Sequence, residues 1–121
     1  MSTAKQKANV KAWVKALRSG KFKQAKGVLK SDKGGYCCLG VLAETCGVAF
    51  AERTTTAPYD KKCVGYPLKS SKNFEVLPAK LFERLTGLDA DQQGYLAEKN
   101  DLGVRFFNIA KSIEKLTTES K

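Results

Sequence analysis

Gly34-Gly35-Tyr36-Cys37-Cys38-Leu39-Gly40-Val41-Leu42 is the stretch on which the fold turns. A glycine pair makes a hinge, and the apolar run behind it reads as a helix beginning near Tyr36 or Cys37 and stopping at Gly47. In that helix Cys38, Val41, Leu42, Thr45 and Cys46 share one side. Gly40, inside the helix, predicts another backbone packed closely against it.

Upstream, Val10, Trp13, Val14 and Leu17 fall at i, i+3, i+4 and i+7, the signature of an amphipathic helix that Ser19-Gly20 ends. Lys7, Lys11, Lys15 and Arg18 occupy a neighbouring stripe of this helix, within about 80° of one another at 100° per residue. A second helix is expected over 22–30, with Phe22, Ala25 and Leu29 inward and Lys23, Lys26 and Lys30 outward; Gly27 weakens it. The turn Ser31–Gly35 follows.

Downstream, Arg53-Thr54-Thr55-Thr56 and Cys63–Tyr66 carry strand-like residues around the turn chemistry of Ala57–Asp60, which predicts a small irregular hairpin. Pro78 suits a first helical turn before the apolar Leu81, Phe82 and Leu85, and Gly87 stops that helix. Asp89 with Gln92 forms a capping box for the next helix, which runs to about Lys99. Asn100-Asp101 reads as a break that caps both adjoining helices. Phe106, Ile109, Ala110, Ile113 and Leu116 define the last helix, before a frayed tail over 117–121. The expected fold class is α+β and mostly α: a compact bundle of about five or six short helices with an irregular β-hairpin near residues 50–68. One domain spans 1–121, the usual size for a single core.

The chain carries a net charge of +10. Residues 1–33 hold ten Lys or Arg against one acid, Asp32, whereas 34–121 hold twelve against eleven. A basic helical segment, 1–33, thus joins a nearly neutral body, an asymmetry that points to a polyanion or an acidic protein surface. Lys7, Lys11, Lys15, Arg18, Lys21, Lys23, Lys26, Lys30 and Lys33 are the candidate contacts. Gly34 and Gly35 join them, because amides at a helix start converge on an anion. The order of a phosphate-binding GxxxxGK[ST] loop is missing. Trp13 and Phe22 could stack on bases, but their helical spacing assigns them to the core.

Cys37 is the one candidate nucleophile, since a helix N-terminus lowers a thiol's pKa. The chain has no histidine, which removes any Cys–His pair or imidazole base. Cys37, Cys38, Cys46 and Cys63 lack CxxC spacing, so no metal site is expected, and no cofactor. They read as buried free thiols of a reducing compartment. Asp89, Asp91, Glu98 and Asp101 cluster in sequence, but the first two fit helix-start roles. No apolar run approaches the roughly 18 residues of a membrane span, and the start of the chain has no signal-peptide core. A cytosolic protein without membrane partners is the expectation.

An ordered set of blocks resembles a family of small proteins encoded by tailed phages and prophages. The blocks are Trp13, Ala16–Phe22 with Gln24, Gly27-x-Leu29, Tyr36–Leu42, Leu77-Pro78, Leu85-x-Gly87-Leu88, Asn100-Asp101 and the helix Phe106–Glu114. Members often carry a further cysteine where this chain has Ala43-Glu44, and the hairpin has no clear counterpart among them. The resemblance implies a viral origin, a compact α+β fold and residence in the cytoplasm of an infected bacterium, and it brings no catalytic residues. Two functions suit these readings. One is a non-enzymatic accessory protein whose basic face binds nucleic acid or a nucleotide. The other is a host-takeover or anti-defence inhibitor docked on an acidic host protein. A cysteine enzyme is the weakest alternative.

Overall fold

The computed structural model describes residues 3–57, 60–71 and 73–119, without the side chains of 57, 60–63 and 119. Five helices and two small sheets make up this part of the chain: α1 (Ala4–Arg18), β1 (Lys23–Gln24), β2 (Gly35–Tyr36), α2 (Cys38–Thr45), β3 (Thr55–Ala57), β4 (Asp60–Gly65), α3 (Ala79–Thr86), α4 (Ala90–Asp101) and α5 (Phe106–Glu119). The fold class is the expected one, a mostly helical α+β bundle, and the antiparallel β3–β4 ladder supplies the hairpin with an irregular register after Thr56. Pro58 and Tyr59, of the expected turn, lie outside the described residues.

Helix α2 is the centre of the bundle. Every residue from Cys38 to Ala43 is buried, so the helix is apolar all round rather than on one side, and Thr45 is exposed. Against it lie α1, which buries Val10, Trp13, Val14 and Leu17 as their spacing predicts, and α4. The Trp13 indole N–H donates to the Cys38 carbonyl at 2.8 Å, and its ring meets Phe82 edge-on at 6.1 Å. Gly40 admits the chain at Leu29: a Cβ here would stand 1.7 Å from the Leu29 carbonyl oxygen. Only glycine lets the two backbones touch.

The expected helix over 22–30 is not there. Residues 23–24 instead form a short strand paired in parallel with 35–36, and Gly27 takes a left-handed φ of 75°. Tertiary bonds displace the helical ones. Ala25 N–H donates to the Tyr36 carbonyl at 2.7 Å, Leu29 N–H to the Phe74 carbonyl at 2.6 Å, and the Ala25 carbonyl accepts from the Asn100 amide at 2.7 Å. Lys23, Lys26 and Lys30 therefore share no helical face. The basic segment is helical only through Arg18.

The remaining helices obey their local signals. Asp89 and Gln92 form the capping box of α4, and Gly87 at φ 80° ends α3. The polar side of α1 closes that same end: Gln6 donates to the Glu83 and Arg84 carbonyls and Asn9 to the Leu85 carbonyl, which satisfies carbonyls left over at the helix terminus. Helix α5 runs further than expected, to Glu119, with the Thr117 hydroxyl donating to the Ile113 carbonyl at 3.0 Å.

Candidate nucleic-acid interface

The strongest grouping of chemistry lies on the outer surfaces of α1 and α5. Lys7, Lys11 and Lys15 are exposed along α1, and Arg18 ends the stripe. From Lys7 to Arg18 the stripe runs about 16 Å at 1.5 Å per residue. Arg18 reaches across to α5, where its guanidinium grips Glu114 with two bonds of 2.5 and 3.1 Å. That exposed pair raises the Arg18 pKa and holds the Glu114 carboxyl below its ordinary value, in both cases chiefly through the hydrogen bonds between them. Arg18 also lies 5.6 Å from the centroid of Phe107, a ring 54% exposed on the first turn of α5. Lys111, one turn on, places its ammonium 5.0 Å from the same centroid. Phe107, Lys111 and Glu114 fall at i, i+4 and i+7, so they form one stripe that meets the α1 stripe at Arg18.

This second stripe was not singled out in the sequence. The apolar periodicity of α5 marks only its inner face. The available signal was the doublet Phe106-Phe107: at 100° per residue only one of the pair can point inward, and Phe106 is the buried one, at 8% exposure.

The other candidate cations scatter. Lys21 and Lys33 are exposed in the connections that follow α1, and Lys23 is exposed on β1. The Lys26 ammonium lies beside Gly103 in the turn between α4 and α5. Lys30 is only half-exposed, and its ammonium sits among three rings, 5.8 Å from Tyr36, 5.4 Å from Phe50 and 5.3 Å from Tyr66. It ties the β1–β2 region to the hairpin through cation–π attraction. Trp13 is wholly buried, and Phe22 packs edge-on against Tyr36 at 5.2 Å, as core residues should.

The glycine turn is no anion cradle. Lys33 N–H donates to the Ser31 hydroxyl at 3.0 Å and Gly34 N–H to the Ser31 carbonyl at 3.1 Å. Gly35 is buried in the parallel ladder. The amides of Cys37 and Cys38 are committed as well, to the Leu29 carbonyl at 3.3 Å and the Asn100 side chain at 3.1 Å. Asn100 is fully buried in the last turn of α4, a connector of three segments rather than a break between helices. Its oxygen also accepts from Gln24 at 3.1 Å. Its neighbour Asp101 is exposed and accepts from Gly27 N–H at 2.8 Å, a different glycine turn from the one at 34–35.

The cysteines belong to the core. Cys37 occupies the N-cap position of α2 at 3% exposure, and burial pushes its thiol up from 9.0 to about 11, against the pull of the Gly40 and Leu39 amides. The helix-start effect that would favour a thiolate is present and loses to desolvation. Cys38 is fully buried, its pKa likewise raised by desolvation, and its thiol leans toward the Leu96 carbonyl at 3.6 Å. Cys46 is half-buried, and the side chain of Cys63 lies outside the described residues. Among the described residues no three His, Cys, Asp or Glu side chains gather as metal ligands, and no helix is long and apolar enough to cross a membrane.

Residues 5–117 match the family described as Domain of unknown function (DUF8296). The chain belongs to that family. The matched span takes in α1 through most of α5, so the two exposed stripes both lie inside the family domain. No curated protein matches the chain, and no solved structure matches it.

Proposed function

We propose that this chain is a non-enzymatic phage accessory protein that binds nucleic acid through the face formed by α1 and α5, in the cytoplasm of the infected cell. One observation carries the reading: Lys7, Lys11, Lys15 and Arg18 form a single exposed stripe on a rigid helix, continued across Arg18 by Lys111. A stripe about 16 Å long suits a run of several phosphates, since each strand of a duplex carries one per about 3.4 Å of helix axis. Lysines on a solvated helix supply charge without base readout, so binding is electrostatic and tolerant of sequence. The buried, protonated Cys37 thiol argues against the cysteine-enzyme alternative.

An electrophoretic titration at about 50 and 200 mM salt tests the proposal, because each phosphate contact releases counterions and steepens the salt dependence. Affinity should fall by at least tenfold between the two conditions. It should vanish in a Lys7→Glu, Lys11→Glu, Lys15→Glu variant whose circular dichroism is unchanged. Absence of binding at low salt, or equal binding by the triple variant, would overturn it. Capture of an acidic protein from nuclease-treated lysate, with no nucleic-acid binding, would instead establish the inhibitor.

A further inference from the structure

The exposed ring of Phe107 deepens this reading and rests on it. We propose that Phe107 is a stacking platform for an unpaired base, so that the ligand of the α1–α5 face is single-stranded nucleic acid. A lone exposed apolar side chain is ordinary on a protein surface. Phe107 differs in its setting, because it stands where the basic stripe of α1 meets α5, with Arg18 and Lys111 both within 5.6 Å of the ring centroid.

The two cations are not equivalent. The Arg18 guanidinium is fixed beside the ring by the two hydrogen bonds it donates to Glu114. Lys111 ends in a flexible stem whose ammonium rests on the ring. Once a strand arrives, that ammonium can move to a phosphate and leave the π face to a base. Duplex bases are stacked on one another and offer only their edges, whereas a ring on a convex helix needs a splayed base to lie against it. Aromatic–base stacking tolerates every base, in keeping with lysines that read none.

Fluorescence anisotropy of the full chain tests the assignment with three labelled probes: an oligothymidylate of about 20 nucleotides, a duplex of equal length and a base-free phosphodiester oligomer. The thymidylate should bind about tenfold tighter than the other two, and Phe107→Ala should bring it to the base-free level without changing its salt slope. Tyr95→Ala removes a ring of similar exposure, 46%, that stands beside Lys99 on α4, and it should leave binding unchanged. Phe107→Trp gives a direct signal, since the chain's single tryptophan, Trp13, is buried: thymidylate should quench the new emission and bind at least as tightly. Equal binding of duplex and thymidylate, a neutral Phe107→Ala, an equal loss in Tyr95→Ala, or an unquenched Phe107→Trp would each overturn the stacking role. Tight, salt-sensitive binding of the base-free oligomer would then still uphold the polyanion reading. Loss of all three probes at low salt would end both.

Discussion

The Cys38 amide, first in α2, donates to the side chain of Asn100, 62 residues away, at 3.1 Å in the core. Asn100 thereby caps a helix that starts without a side-chain cap of its own, and it holds the Ala25 carbonyl and the Gln24 amide with its remaining capacity. Three segments distant in sequence meet on one carboxamide. Asn100→Ala should destabilise the protein by about 2–4 kcal/mol, because it leaves a buried donor and a partly buried acceptor unpaired. Urea titration checks this, with a lowered midpoint and an unchanged m-value as the expected result.

Gly40 governs a neighbouring contact. Its Cβ position falls on the Leu29 carbonyl, which is main chain and cannot rotate aside as a flexible side chain would. Gly40→Ala must push α2 away from the 28–30 segment, and it should cost about 3–5 kcal/mol or prevent folding. Gly94, on α4, has nothing within 4 Å of its Cβ position. Gly94→Ala should be neutral or stabilise by about 1 kcal/mol through helix propensity. Thermal unfolding of the two variants side by side separates packing from propensity.

These two residues show where the sequence was legible and where it was not. Gly40 announced a close backbone approach because glycine inside an apolar helix has few other uses. Helices α1, α3, α4 and α5 were readable because their own periodicity and caps specify them. The 22–30 segment was misread because its amphipathic spacing imitates a helix, while its backbone bonds go to Tyr36, Phe74 and Asn100, partners that no local pattern reveals. The candidate site divided in the same way. The α1 stripe follows from spacing on one helix, but its continuation through Phe107 and Lys111 depends on α5 packing against α1.

Thiol chemistry should follow burial. Cys46, half-buried, should react with a disulfide reagent in the native protein, whereas Cys37 and Cys38 should react only at the rate of unfolding. Burial also links Cys37 to stability at alkaline pH. Its folded pKa lies above the unfolded one, so between 9.0 and about 11 the unfolded chain binds fewer protons than the native state. Stability is therefore full below 9.0 and falls as pH rises toward about 11. Urea midpoints over that window should drop more steeply in the wild type than in Cys37→Ala.

Glu114 restrains the basic face at Arg18. Its carboxylate neutralises Arg18 and accepts from both terminal guanidinium nitrogens, a pairing that holds the carboxyl pKa below its ordinary value. A phosphate approaching Arg18 must displace Glu114 or be repelled by it. Glu114→Gln removes one negative charge from the face and releases the guanidinium for a bidentate phosphate contact, for which arginine is better suited than lysine. Affinity for oligothymidylate should rise by about threefold to tenfold at low salt, and the slope of log affinity against log salt should steepen by about 0.7, one further phosphate contact on a single strand. Arg18→Ala should weaken binding, because it leaves the Glu114 charge uncompensated on the face, with the salt slope unchanged. Titrations of the two variants at four salt concentrations decide the matter: a Glu114→Gln protein that binds no better than wild type would mean that Arg18 stays with α5 and takes no part in the interface.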